Sequence, residues 1–302
     1  MKQDILLVGT GALATLFAAR LSEADLSVHM LGTWKNGLRA LQGDGARILD
    51  ANGNERAYRV HATDDPREVD GMRHALVLVK SWQTERAARQ LKDCLADDGL
   101  ALTLQNGLGN RETLARELGP ARVALGVTTG GATLLGPGLV KAGGEGVISI
   151  EQNQALAPLE AALRSSKFNL HIVDDAQSLI WGKLVINAAI NPLTALLRVP
   201  NGELLSRPNA RRLMGALARE TANVAGAEHI NLPFSNPVHA AEDVARRTAA
   251  NHSSMFQDVR RGAPTEIDSI CGAITRRGEK HGISTPYNRA CWQLVRAAVN
   301  HT

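Results

Sequence analysis

Between positions 181 and 204 the chain reads WGKLVINAAINPLTALLRVPNGEL, with Lys183, Asn187 and Asn191 spaced four apart in an otherwise apolar run. A lysine brings a positive charge and a transferable proton, and an asparagine amide brings both a donor and an acceptor without charge. In an α-helix, residues four apart advance only about 40° around the axis, so the three form one narrow polar stripe. Leu184, Val185, Ile186, Ala188, Ala189 and Ile190 surround it, so the helix is buried on most sides and its polar groups need partners. Pro192 removes a backbone donor and predicts a bend where the stripe ends. Asn201 follows in a Pro-Asn-Gly turn. Read alone, the stripe admits two roles: a polar site, or asparagines tying neighbouring segments together beside a lysine that reaches the surface along its stem.

Other residues of this kind lie before and after the stripe. The chain opens DILLVGTGALATLFAARL, a β-type run from Ile5 to Val8, then glycines, then a helical apolar pattern through Leu21. This is G-x-G-x-x-A. Gly9 permits the tight turn, Gly11 lets a pyrophosphate approach the backbone, and Ala14 allows close helix packing. The helix start, with the N–H groups of Ala12 and Leu13, faces the phosphates. A second strand, LSVHML, ends without the acid that takes a ribose 2′-hydroxyl in the NAD-binding version. Thr33 and Lys35 stand there instead, suited to a 2′-phosphate, with Trp34 near an adenine, and the reading leans to NADP(H). Lys35 is also explained as a solvated lysine at a helix start. Two further buried strands end in VKSWQT and LQNGLG, which puts Lys80 and Asn106 at strand ends, where open α/β sheets gather ligands. A surface lysine and a plain N-G turn are the alternatives for these two. In the later segment NHSSMFQDVRRGAPTEIDSICGAI, Thr265 to Asp268 fits a capping box, which predicts Glu266 in the first turn of a helix. For Asn251, Ser253 and Ser254 the plain alternative to a site role is that of surface residues at the end of the preceding helix.

The elements that position these residues follow from the whole chain. A length of 302 residues favours two domains, and 44% hydrophobic with 21% charged residues describes a globular protein. The fold class is α/β, with a Rossmann-type dinucleotide-binding domain over 1–173 and an all-helical domain over 174–302. A basic, Gly-rich stretch near 136–147 reads as hairpin turns. The net charge of +4 is spread among acids, which argues against nucleic acid as a partner. Cys94, Cys271 and Cys291 lack metal-site spacing and read as reduced structural thiols, and no metal is expected. With no run of 18 uninterrupted apolar residues and no leader pattern, neither a membrane partner nor export is expected, and the location read is the cytoplasm. The helical domain offers a surface for a homodimer.

Taken in order and spacing, GTGALA, VKSWQT, QNGLG, WGKLVINAAINPLTAL with PNGEL, and SSMFQDVRRGAPTEID give a chain that resembles the ketopantoate reductases over nearly its whole length. The resemblance implies reduction of 2-dehydropantoate to pantoate with NADPH. It implies that Lys183 is the catalytic lysine and that Glu266 holds the substrate hydroxyl. Asn187 and Asn191 then line the substrate site with Asn201, Ser254 meets the substrate carboxylate, and Asn251 joins the substrate-binding set. Lys80 and Asn106 fall at the junction of cofactor and substrate. These residue types suit the chemistry, because reduction of a ketone builds negative charge on oxygen, which an ammonium stabilises and protonates. One departure stands out: where the family carries an arginine after the second strand, this chain has Thr33, with Lys35 two residues on. The competing readings are a reductase of another 2-oxo acid, an opine-type imine reductase, and an NADP(H)-binding redox sensor without turnover.

Overall fold

The computed structural model describes residues 4–50 and 52–299. The chain forms two compact units. One holds the chain up to Gln105 together with Asn110–Ala176; the other holds Asn106–Gly109 and the chain from Gln177 onward.

The first unit begins with β1 (Asp4–Val8), α1 (Ala12–Glu23), β2 (Ser27–Leu31) and α2 (Lys35–Gly43). Then come β3 (Ala46–Leu49), β4 (Glu55–Tyr58), β5 (His61–Thr63), β6 (Met72–Val77), α3 (Thr84–Cys94) and β7 (Leu95–Thr103). The unit is completed by α4 (Asn110–Leu118), β8 (Val123–Thr128), β9 (Ala132–Gly136), β10 (Leu139–Ala142), β11 (Val147–Glu151), α5 (Ala157–Ser165) and β12 (Asn169–Val173). In β1 every residue from Ile5 to Val8 is buried, because both faces of the strand are covered. Ile5 and Leu7 pack in the cluster that holds Ala14, Phe17 and Leu21 of α1, whereas Leu6 and Val8 pack with Ala88 and Leu91 of α3 and Leu114 of α4.

Strands β5, β2, β1, β6, β7 and β8 lie side by side and parallel, which is the order 3-2-1-4-5-6 of a doubly wound nucleotide-binding sheet. β11 adds antiparallel to β8, and β12 follows parallel to β11. The order reverses at β1, between β2 and β6, so the ligand crevice of this topology opens at the carboxyl ends of those three strands. The basic, Gly-rich stretch contributes the turn and second strand of the β9–β10 hairpin, which joins β3 and β4 in a small four-stranded sheet.

After Val173 the described residues contain no strand. The helices are α6 (Ala176–Leu197), α7 (Glu203–Ser206), α8 (Pro208–Ala227), α9 (Pro237–Arg247), α10 (Ser254–Arg260), α11 (Cys271–His281) and α12 (Pro286–Val299). α6 is long and apolar enough to cross a membrane, yet 72% of that stretch is buried inside the protein, and Trp181, Leu184, Val185, Ala188 and Ala189 form its core. It runs unbroken through Pro192 to Leu197. Glu220 of α8, itself buried, accepts from the backbone N–H groups of Tyr287 and Asn288 and from the Asn288 amide, each at 2.9 Å, and so holds the start of α12.

Two sequence expectations are corrected. Glu266 does not lie in a helical first turn: α11 starts only at Cys271, because Ile270 at φ −100°, ψ −96° leaves the helical region. Glu266 instead heads a wound turn in which the N–H groups of Ser269 and Ile270 both donate to its carbonyl. The segment 251–254 is likewise not the end of a helix. α9 stops at Arg247, and Ser253 is buried as the N-cap of α10, accepting from the Phe256 N–H.

Candidate active site

In the first unit, the Gly9 N–H donates to the Leu31 carbonyl at 2.8 Å and its φ is +133°. A side chain there would press on the backbone of Leu78 and Val79 at 3.3 Å, so the turn that joins β1 to α1 needs glycine. Gly11 is different. A Cβ there would meet nothing within 4 Å, and α1 starts at this point with no capping side chain and no acid in its first turn. The helix start, with Ala12 and Leu13 partly buried beside it, presents open N–H groups and a glycine cradle of the kind that receives a pyrophosphate.

The loop after β2 explains why no acid stands there. An added Cβ on Gly32 would lie 2.6 Å from the Thr10 methyl, so the buried Thr10 occupies that space. Thr33 is partly buried and Lys35, the first residue of α2, is exposed. The half-exposed Trp34 ring covers Gly37, where a Cβ would fall 2.3 Å from the ring, and the Arg39 guanidinium donates to Asn36 Oδ1 at 2.7 Å.

Lys80 is partly buried at the carboxyl end of β6, and its N–H donates to Gln83 Oε1 at 3.2 Å. Gln105 ties this end to that of β7. Its amide donates to the Val79 carbonyl at 2.9 Å and to Thr84 Oγ1 at 2.8 Å, and its Oε1 accepts from Thr103 at 3.0 Å.

In the second unit Lys183, Asn187 and Asn191 lie on α6 as the spacing requires. Asn191 is buried and the other two are partly buried. Burial lowers the Lys183 pKa from the ordinary lysine value to about 8, opposed in part by the negative charge of Glu266. Glu266 is buried, and its Oε2 accepts from the Asn106 amide at 3.1 Å. The fold thus brings together three residues that are 77 and 83 positions apart in the chain, counted from Asn106 to Lys183 and from Lys183 to Glu266. Such an ammonium, held near neutrality beside a carboxylate, is suited to giving up a proton at moderate pH.

Asn201 is buried. Its amide donates to Thr248 Oγ1 at 2.9 Å, its N–H donates to the Asn251 carbonyl at 3.0 Å, and its Oδ1 has no partner. A donor on a bound molecule would satisfy that oxygen. Asn251 and Ser254 have exposed side chains, and among the described interactions none links either side chain to Lys183 or Glu266. Ser253, the neighbour that sequence reasoning set aside, is the buried one, its hydroxyl 2.7 Å from that of Thr194 on α6. A serine just before a helical run is the signal that marks it.

Residues 5–155 match the family described as "Ketopantoate reductase PanE/ApbA", and residues 175–299 match its C-terminal counterpart. A 2-dehydropantoate 2-reductase of Halobacterium salinarum is 36% identical over 300 residues, covering 97% of this chain and 98% of that protein. The crystal structure of a PanE/ApbA family ketopantoate reductase from Ralstonia eutropha superposes with a TM-score of 0.92 at 31% identity, covering 99% of both chains. D-mandelate dehydrogenase, solved with NADH and anilino(oxo)acetate, gives the same TM-score at 26% identity over 99% of both chains. With the glycine cradle, the lysine–asparagine helix and the buried glutamate on the page, these likenesses leave one assignment: the chain belongs to the ketopantoate reductase family.

Proposed function

We propose that this protein is an oxidoreductase that reduces 2-dehydropantoate to pantoate with NADPH, the step that its relatives' name describes and that serves pantothenate synthesis. The observation that carries this reading is Lys183, lowered to about 8 by burial and facing the charge of Glu266 on a helix that also carries Asn187 and Asn191. The open cradle at Gly11 fits the pyrophosphate of a dinucleotide, and Thr33 with Lys35, at the end of β2 and the start of α2, is assigned to the 2′-phosphate. When bound, NADPH supplies a hydride to the ketone carbon. Lys183 stabilises the negative charge that grows on the ketone oxygen and gives that oxygen its proton. Glu266 accepts from the substrate hydroxyl. Asn187, Asn191 and Asn201 orient the substrate without adding charge, and the exposed Ser254 and Asn251 serve its carboxylate end. Lys80 and Asn106 are assigned to cofactor binding. The 2-oxo acid is a small-molecule partner, and the enzyme works in the cytoplasm.

A second reading has a specific observation in its favour. The likeness to D-mandelate dehydrogenase supports reduction of a different 2-oxo acid, with NADH as donor. Initial rates of NADPH and NADH oxidation with ketopantoate and a panel of 2-oxo acids separate the two. Turnover concentrated on ketopantoate with NADPH is the expected result; preference for an aromatic 2-oxo acid with NADH would overturn the first reading in favour of the second.

A further inference from the structure

We propose that Gly107 and Ser269 are positioning residues: together they press the 106–109 segment onto the 266–269 turn and so set the direction of the Glu266 carboxylate. Four contacts carry this. The Leu108 N–H donates to the Ser269 carbonyl at 2.9 Å, the Ser269 hydroxyl donates to the Glu266 carbonyl at 3.0 Å, and the Asn106 amide donates to Glu266 Oε2 at 3.1 Å. The fourth contact is steric. Gly107 has φ +81°, and a Cβ on it would lie 2.5 Å from Ser269 Oγ, 2.6 Å from its carbonyl oxygen and 2.7 Å from its Cβ. No side chain fits between the two backbones, so glycine is what allows the segment to come close enough for the Asn106 amide to reach the carboxylate.

The turn itself gives a reason for such a clamp. Glu266 stands outside the regular helix α11, in a turn closed by the Ser269 and Ile270 N–H groups on its carbonyl. The 106–109 segment supplies its carboxylate with a donor from a part of the chain 160 residues away. Glu266 is also the charged group that acts on Lys183. Moving the carboxylate therefore changes two things, the hold on a substrate hydroxyl and the field at the ammonium.

This inference rests on the proposed roles of Lys183 and Glu266, and the test keeps the two apart. Lys183→Ala tests those roles alone: full turnover in that variant sinks the functional reading whatever happens at Gly107. For the clamp, Gly107→Ala is expected to lower kcat roughly tenfold to a hundredfold, as a displacement of about an ångström does at a reacting centre. With Glu266 drawn away, Lys183 loses a charge that favours its protonated form, so the basic limb of the kcat profile should move to lower pH. The double variant Gly107→Ala/Ser269→Gly removes two of the three obstructing atoms and should recover part of kcat. If Gly107→Ala does not fold, Ser269→Ala keeps the glycine and removes only the hydroxyl tie; it should shift the basic limb in the same direction with a smaller fall in kcat. A folded Gly107→Ala, or a Ser269→Ala, that loses melting temperature but keeps the parental kcat and pH limb assigns the contact to stability alone and overturns the proposal.

Discussion

At the scale of single residues, the proposed chemistry concentrates on Lys183. Replacing it with alanine removes the proposed proton donor and is expected to lower turnover on the order of 100-fold or more, with NADPH binding by titration calorimetry unchanged because the cradle at Gly11 belongs to the other unit. Since the reducing form carries the proton, the rate should be level on the acid side and fall as pH rises through about 8, where Lys183 titrates. A kcat profile flat to well above that value would remove Lys183 as the donor. The stripe on α6 was legible in the sequence because periodicity of four reports directly on a shared helical face. The Asn106–Glu266 contact was not legible from spacing, since nothing in local pattern connects residues 160 apart. Only the family resemblance placed both near the substrate, and it did so without showing that one holds the other.

At the scale of elements, the strand–glycine–helix opening, the strand ends carrying Lys80 and Gln105, and the all-helical second half were readable from period and punctuation. What the sequence could not fix were element starts governed by tertiary packing. The T-x-x-D pattern at 265–268 looks like a helix start, but the backbone at Ile270 leaves the helical region and α11 begins only after it, with Ile267 and Ile270 both buried in the core. The start of α12 is governed in the same non-local way, by Glu220 of α8. Glu220→Ala strips a buried carboxylate from three donors and is expected to destabilise the fold by about 2–4 kcal/mol, read as a lower urea midpoint at constant m-value. A midpoint equal to that of the parent would mean that water replaces the carboxylate without loss. The loop after β2 gives a third case. Installing the NAD-type acid as Gly32→Asp forces a side chain into the space of Thr10, so it should cost about 1–3 kcal/mol and fail to raise NADH affinity. Tight NADH binding by a stable Gly32→Asp protein would show that Thr10 yields.

At the scale of the whole molecule, the three cysteines are free and buried, one in the first unit and two in the second. Burial raises the thiol of Cys94 to about 12 and that of Cys291 to about 11, and pushes Cys271 well above its ordinary value. None is a thiolate at neutral pH, so a disulfide-exchange reagent is expected to titrate no thiol in the native protein and three after unfolding; fast native labelling would contradict the buried placement. The excursion at 106–109 has a consequence for how such a gene can be cut and rejoined. The chain passes from one unit to the other at 105/106, 109/110 and 176/177, so a single break near 176 does not yield two complete halves. A fragment beginning after that break carries Lys183 and Glu266 but leaves Asn106 and Gly107 behind. Neither half is therefore a free-standing cassette, and chimaeras that graft a foreign nucleotide-binding half onto these helices inherit whatever the donor supplies in those four positions.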